Sequence, residues 1–134
     1  EAHSELEVLS GAVRETLTLA LRAFREKDET AARQVEPLEQ VVDGLKEQMR
    51  TRHILRMQQG TCSIEAGFVW CDLLTDLERT SDHCSNIAGC VIDAAQHELN
   101  LHETLHNVRS SDAEYQRRLS AYAAAYRLPQ PAQE

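Results

Sequence analysis

Apolar residues recur at intervals of three and four along most of the chain, the pattern of helices that each bury one stripe. Leu6, Leu9, Val13, Leu17, Leu21 and Phe24 predict a first helix over 4–27 with those positions facing a core. Lys27-Asp28-Glu29-Thr30 is a polar connection in which Asp28 or Thr30 can cap the next helix. Val35, Leu38, Val42, Leu45 and Met49 predict a second helix over 29–59. Pro37 within it requires either a kink or a start near Val35. Gly60-Thr61 is a stop signal, and Ser63 with Glu65 a start signal for the third helix.

That third helix is predicted over 63–97, with Phe68, Cys71, Leu74, Leu77, Ser81, Cys84, Ala88 and Val91 on one face. At 1.5 Å per residue it would be about 50 Å long. Gly67 and Gly89 inside it point to close packing against a neighbour. Tyr115, Leu119, Tyr122 and Tyr126 predict a short helix over 112–126, fixed to the rest by its tyrosines, before a frayed tail over 127–134. Short connections make successive helices antiparallel. The expected fold is therefore all-α: an up-down antiparallel bundle of three long helices plus a short C-terminal helix. One domain spans 1–126 and a tail spans 127–134.

Composition supports this reading, since five Gly, three Pro and 4% aromatic residues leave little material for a sheet of short strands. A formal net charge of −8 excludes nucleic acid and anionic lipid as main partners and suits a surface that attracts cations. Cys62, Cys71, Cys84 and Cys90 form no CxxC pair and fall in or beside apolar helical stretches. They read as small buried hydrophobes in a reducing compartment. No stretch approaches the run of about 20 apolar residues that a membrane span needs. The chain starts at Glu1 without Met, so it is expected to be a piece of something longer.

The chemically informative feature is a matched pair of spacings. Glu39 and Asp43 are four apart on the second helix, and Glu78 and Asp82 four apart on the third. Carboxylates one turn apart repel by a few tenths of a kcal/mol (~0.2–0.5) unless something positive lies between them. Written as heptads, Glu39 and Glu78 both fall at e and Asp43 and Asp82 both at b, which places the two pairs on one side of the helix two–three seam. The pairs are also equidistant from the turn at Gly60-Thr61, so they stand at one height, about 30 Å from it. Four converging carboxylates make a candidate site for Mg, Mn, Ca or Fe. The alternative is an acidic rim on an acidic bundle. A buried di-iron centre is not indicated, because only Glu103 and His106 supply an ExxH pair.

The stretch Asp76-Leu-Glu-Arg-Thr-Ser-Asp-His-Cys-Ser-Asn-Ile-Ala88 closely resembles the signature of PhoU domains, Leu-Glu-Arg-Ile-Gly/Ser-Asp-His followed by Asn-Ile-Ala. Glu39-Gln-Val-Val-Asp43 is similar to the family's other E/DxxxD motif, and the resemblance covers about 5–97. It implies a PhoU-like fold without enzymatic activity and a metal, of divalent or trivalent kind (Fe, Mn, Mg, Ca or Zn), held by Glu39, Asp43, Glu78 and Asp82. Thr80 stands where the family has Ile. Free-standing PhoU regulators carry two three-helix repeats, and this chain has one. Leu101–Arg109 and Tyr126–Pro129 resemble the ending of bacterial sodium–phosphate cotransporter-like proteins, which carry a single such domain after their membrane segments. The implied role is phosphate-linked regulation or assembly at the cytoplasmic face of the inner membrane. The implied partner is the membrane-transporter portion of the same polypeptide, and pairing of two copies would recreate the two-repeat arrangement. A soluble adaptor that contacts a separate transporter or sensor kinase is the alternative.

Other motifs have duller readings. His102-Glu103-Thr-Leu-His106 spells the HExxH of zinc proteases, yet no His follows it as a third ligand. A small zinc hydrolase is accordingly a distant alternative. His83 beside Asp82 is expected to point outward, and Arg79 to pair with helical neighbours such as Asp76 or Asp82 rather than with phosphate. Trp70 and Phe68 are expected at the core or bundle edge.

Overall fold

A computed structural model describes residues 1–96, 105, 109 and 113–130. Among the described residues there are four helices and no strand. They are α1 (Ala2–Glu26), α2 (Glu29–Gln58), α3 (Ile64–Gln96) and α4 (Ala113–Ala125). α1, α2 and α3 pack on one another, and α4 lies against α2. The bundle and its order match the sequence expectation, with ends shifted by one or two residues, the ordinary uncertainty at helix ends.

The turns follow from local chemistry. Lys27 closes α1 in the left-handed region (φ 53°), its N–H donating to the Ala23 carbonyl. Asp28 caps α2 by accepting from the Ala31 N–H at 3.0 Å. Gly60, at φ 70°, makes the second turn, where glycine carries no Cβ penalty. Ser63 caps α3 by accepting from the Ala66 N–H at 3.2 Å. Pro37 is buried inside α2, which starts at Glu29 and continues through it. Burial of its ring offsets the one lost backbone hydrogen bond.

Two apolar clusters form the core. Leu9, Val13, Leu38, Val42, Leu45, Met49 and Leu74 make the first; Ala20, Ala23, Ala31, Ala32, Val35, Cys84, Ala88 and Ile92 make the second. The stripe predicted for α2 is buried throughout. On α1 the expected stripe is wrong over its second half. Leu17, Leu21 and Phe24 are exposed, while Thr16, Ala20 and Ala23, one residue earlier, are buried. The alanine-lined second cluster explains this rotation, because small side chains let three helices approach closely. At the start of α3 Gly67 is buried and Phe68 is exposed, for the same reason.

Three of the four cysteines also depart from expectation. Cys84 is buried, Cys62 is half-buried, and Cys71 and Cys90 are exposed; all are free thiols. The tyrosines do fix α4: the Tyr115 hydroxyl donates to Gln40, and Tyr122 packs against the first core cluster. Tyr126 follows α4 and donates to Glu15 on α1. Residues 127–130 are not frayed. Leu128 joins the first core cluster, and the Pro129 carbonyl accepts from Arg52 at 2.5 Å. No helix among the described residues is long and apolar enough to cross a membrane.

Candidate functional site: the acidic α2–α3 seam

Glu36 fixes the register of α2 against α3. It is 2% exposed, and one of its oxygens accepts from the Ser85 hydroxyl. α2 and α3 run antiparallel, so three residues further along α2 and three back along α3 bring Glu39 level with Asp82. Four more bring Asp43 level with Glu78. The electrostatics agree with this placement. Burial pushes the Glu39 carboxyl from 4.5 up to about 7, helped by the charges of Glu36, Asp43 and Asp82 and opposed by Arg109. Asp43 is raised too, first by burial and then by Glu78, with Lys46 and Arg109 opposing and Asp82 adding a smaller push. All four carboxylates predicted from spacing therefore lie along one seam and feel one another.

Two cations and one glutamate in this row were not anticipated. The Lys46 ammonium stands 3.2 Å from the Glu78 carboxylate. The Arg109 guanidinium donates through Nε to Glu36, and its Nη2 lies 3.5 Å from Oε2 of Glu39. That oxygen is buried and makes no hydrogen bond. Glu36 and Lys46 lie on the same helix as the predicted pair, at i−3 from Glu39 and i+3 from Asp43. The helical period could have flagged both, whereas nothing in the spacing brings Arg109 here from beyond α3.

Among the described residues no three His, Cys, Asp or Glu side chains converge as a ready coordination shell. The donor set nonetheless fits a hard cation. Its oxygens are carboxylate, Glu39 Oε2 is buried with a guanidinium at 3.5 Å but no hydrogen bond, and the side chains of Asp43 and Asp82 are exposed. His83 is exposed, as expected. The HExxH residues His102, Glu103 and His106 lie outside the described residues.

The sequence profile of the PhoU domain family matches residues 6–91. The chain belongs to the PhoU domain family. A curated relative is the phosphate-specific transport system accessory protein PhoU homolog 1 of Thermotoga maritima, 29% identical over 92 residues. The aligned stretch is 69% of this chain and 40% of that protein, so the chain spans about two fifths of the relative's length. No solved structure matches the chain significantly. The PhoU profile covers α2 whole, nearly all of α1, and α3 as far as Val91, and hence the entire acidic seam.

A second polar cluster sits near the α2–α3 turn. Glu5 is fully buried and accepts from Arg52 at 3.2 Å and from Arg56 at 3.0 Å. The Arg56 guanidinium lies 5.6 Å from the Trp70 ring centroid, and Trp70 packs at the core edge as expected. His53 is buried beside it, and burial with the Arg56 charge lowers its pKa. Glu5 is matched by Arg52 and Arg56 within the bundle, while Arg56 Nη2, His53 Nε2 and Trp70 Nε1 are buried without hydrogen bonds. The balance of opposite charges reads as structural.

Proposed function

We propose that this chain is a regulatory, non-enzymatic PhoU domain that acts with a phosphate transporter and binds a metal ion along its α2–α3 seam. The ligands are Glu39, Asp43, Glu78 and Asp82, and the ion is divalent or trivalent (Fe, Mn, Mg, Ca or Zn), in keeping with an all-oxygen donor set. One observation carries this reading. Burial and mutual repulsion raise the Glu39 carboxyl to about 7, and its Oε2 is left buried without a hydrogen bond. A bound cation would supply the missing positive charge at the point where the fold concentrates negative charge.

The regulatory role draws on family membership and on the relative's description as a transport accessory protein. The domain belongs, in this reading, to a sodium–phosphate cotransporter-like polypeptide and works at the cytoplasmic face of the inner membrane. The relative's own description favours a second reading, a soluble adaptor for a transporter made by another chain. Membrane spans encoded upstream of Glu1 would separate the two.

The metal claim is tested by elemental analysis of untagged protein purified without chelator, beside the Glu39→Gln/Asp43→Asn/Glu78→Gln/Asp82→Asn variant. Metal in the wild type and none in the variant supports the seam. Metal in neither leaves a scaffold for protein contact and moves the adaptor ahead.

A further inference from the structure

Arg109 reaches the acidic row from beyond α3, and its contacts are uneven. Its Nε is bound to Glu36, which is almost wholly buried and is held on its other oxygen by Ser85. That bond fixes the guanidinium over the start of the row. Its Nη2 then comes only to 3.5 Å from Glu39 Oε2, and no hydrogen bond forms. Half of the Arg109 side chain is in solvent, at 52% exposure, so water and salt screen its charge. A positive group attached to the chain thus stands beside Glu39 without satisfying it. Lys46, which pairs with Glu78 at the far end, is different in kind, because it belongs to α2 itself.

We propose that Arg109 is a built-in competitor for the acidic seam: a divalent cation taken up by Glu39 and Asp82 displaces its guanidinium, and the docked guanidinium weakens cation binding. This inference rests on the metal-binding reading above. Two positive groups on one partly buried carboxylate oxygen repel strongly at such distances, so they exclude each other. The coupling is reciprocal: the factor by which docked Arg109 lowers cation affinity is the factor by which the cation loosens Arg109. Lys46 would merely swing aside on its own helix. Displacing Arg109 carries the occupancy of the seam to a different part of the chain, which is what a regulatory site requires.

The test is calorimetric titration of Mn²⁺ into the wild type, Arg109→Gln, Arg109→Lys and Glu39→Gln/Asp82→Asn proteins. Alongside it, the rate of Arg109 modification by phenylglyoxal is followed by mass spectrometry with and without Mn²⁺. Arg109→Gln should bind Mn²⁺ about tenfold more tightly, a typical coupling between linked sites. Arg109→Lys should stay near the wild type, since it keeps the charge. Mn²⁺ should speed modification of Arg109 in the wild type and not in Glu39→Gln/Asp82→Asn. Binding by the wild type with equal or weaker binding by Arg109→Gln overturns the competition and leaves the metal site standing. No binding by either protein overturns both. Binding by Arg109→Gln alone supports competition in its strongest form.

Discussion

Glu5 and Glu39 are both buried glutamates, on adjacent helices of one small bundle. Glu5 has no exposed surface and two arginines within 3.2 Å, each on α2 and each mostly buried. Glu39 is 7% exposed, has three carboxylates influencing it, and has one guanidinium that comes no closer than 3.5 Å. Desolvating a charge is costly in either place. Near the α2–α3 turn the fold matches the buried carboxylate with its own arginines, although Arg56 Nη2, His53 Nε2 and Trp70 Nε1 are left without hydrogen bonds. At the seam the compensation is only partial: Arg109 and Lys46 stand among five carboxylates, and Glu39 Oε2 is left buried without a hydrogen bond. Glu5 is matched from within and holds the structure together; Glu39 is matched only in part, and the proposed cation would complete it.

Substitution should separate the two with opposite signs. Glu5→Ala leaves Arg52 and Arg56 without their shared carboxylate, and denaturant unfolding should show a loss of about 3–5 kcal/mol. Glu39→Gln should stabilise the metal-free protein at pH 8. A rise from 4.5 to about 7 means that the folded protein holds this proton more tightly than the unfolded chain does. Stability therefore falls as pH rises from about 4.5 through about 7, and the loss is complete above that. At roughly 1.4 kcal/mol per unit the gain from Glu39→Gln is about 3 kcal/mol at pH 8, shrinking toward zero near pH 4. If Glu39→Gln destabilised the protein at both pH values, Glu39 would be a structural residue like Glu5.

A smaller effect bears on the turn end alone. A Cβ on Gly67 would lie 3.0 Å from His53 Nε2 and 3.1 Å from Met57 Sδ. Gly67→Ala gains helix propensity but crowds the buried His53, and thermal melting should show a net loss of about 1 kcal/mol. The seam should be untouched, with Mn²⁺ affinity unchanged.

Much of this arrangement is legible in the sequence, and what is not has physical causes. The α2 stripe from Val35 to Met49 is buried as its period requires, because large apolar residues there have no competing face. The four seam carboxylates could be placed side by side from spacing alone, since antiparallel helices joined by a short turn fix the register. On α1 the large side chains misled: Leu17, Leu21 and Phe24 carry the hydrophobicity, but the close approach belongs to Ala20 and Ala23. Hydrophobic periodicity weighs size, whereas helix contact at short range favours its absence. Arg109 escaped because its contact with Glu36 joins positions 73 residues apart, a separation that helical period does not address.

On the proposed function, the α2–α3 seam is destabilised by its own charge and relieved by a cation. Melting temperature at pH 8, with and without Mn²⁺, measures both halves at once in the wild type and in Glu39→Gln/Asp43→Asn/Glu78→Gln/Asp82→Asn. Without metal the variant should melt higher than the wild type, and Mn²⁺ should raise the wild type alone. A variant that melts lower than the wild type without metal, with Mn²⁺ shifting both proteins equally or neither, would contradict the proposed function.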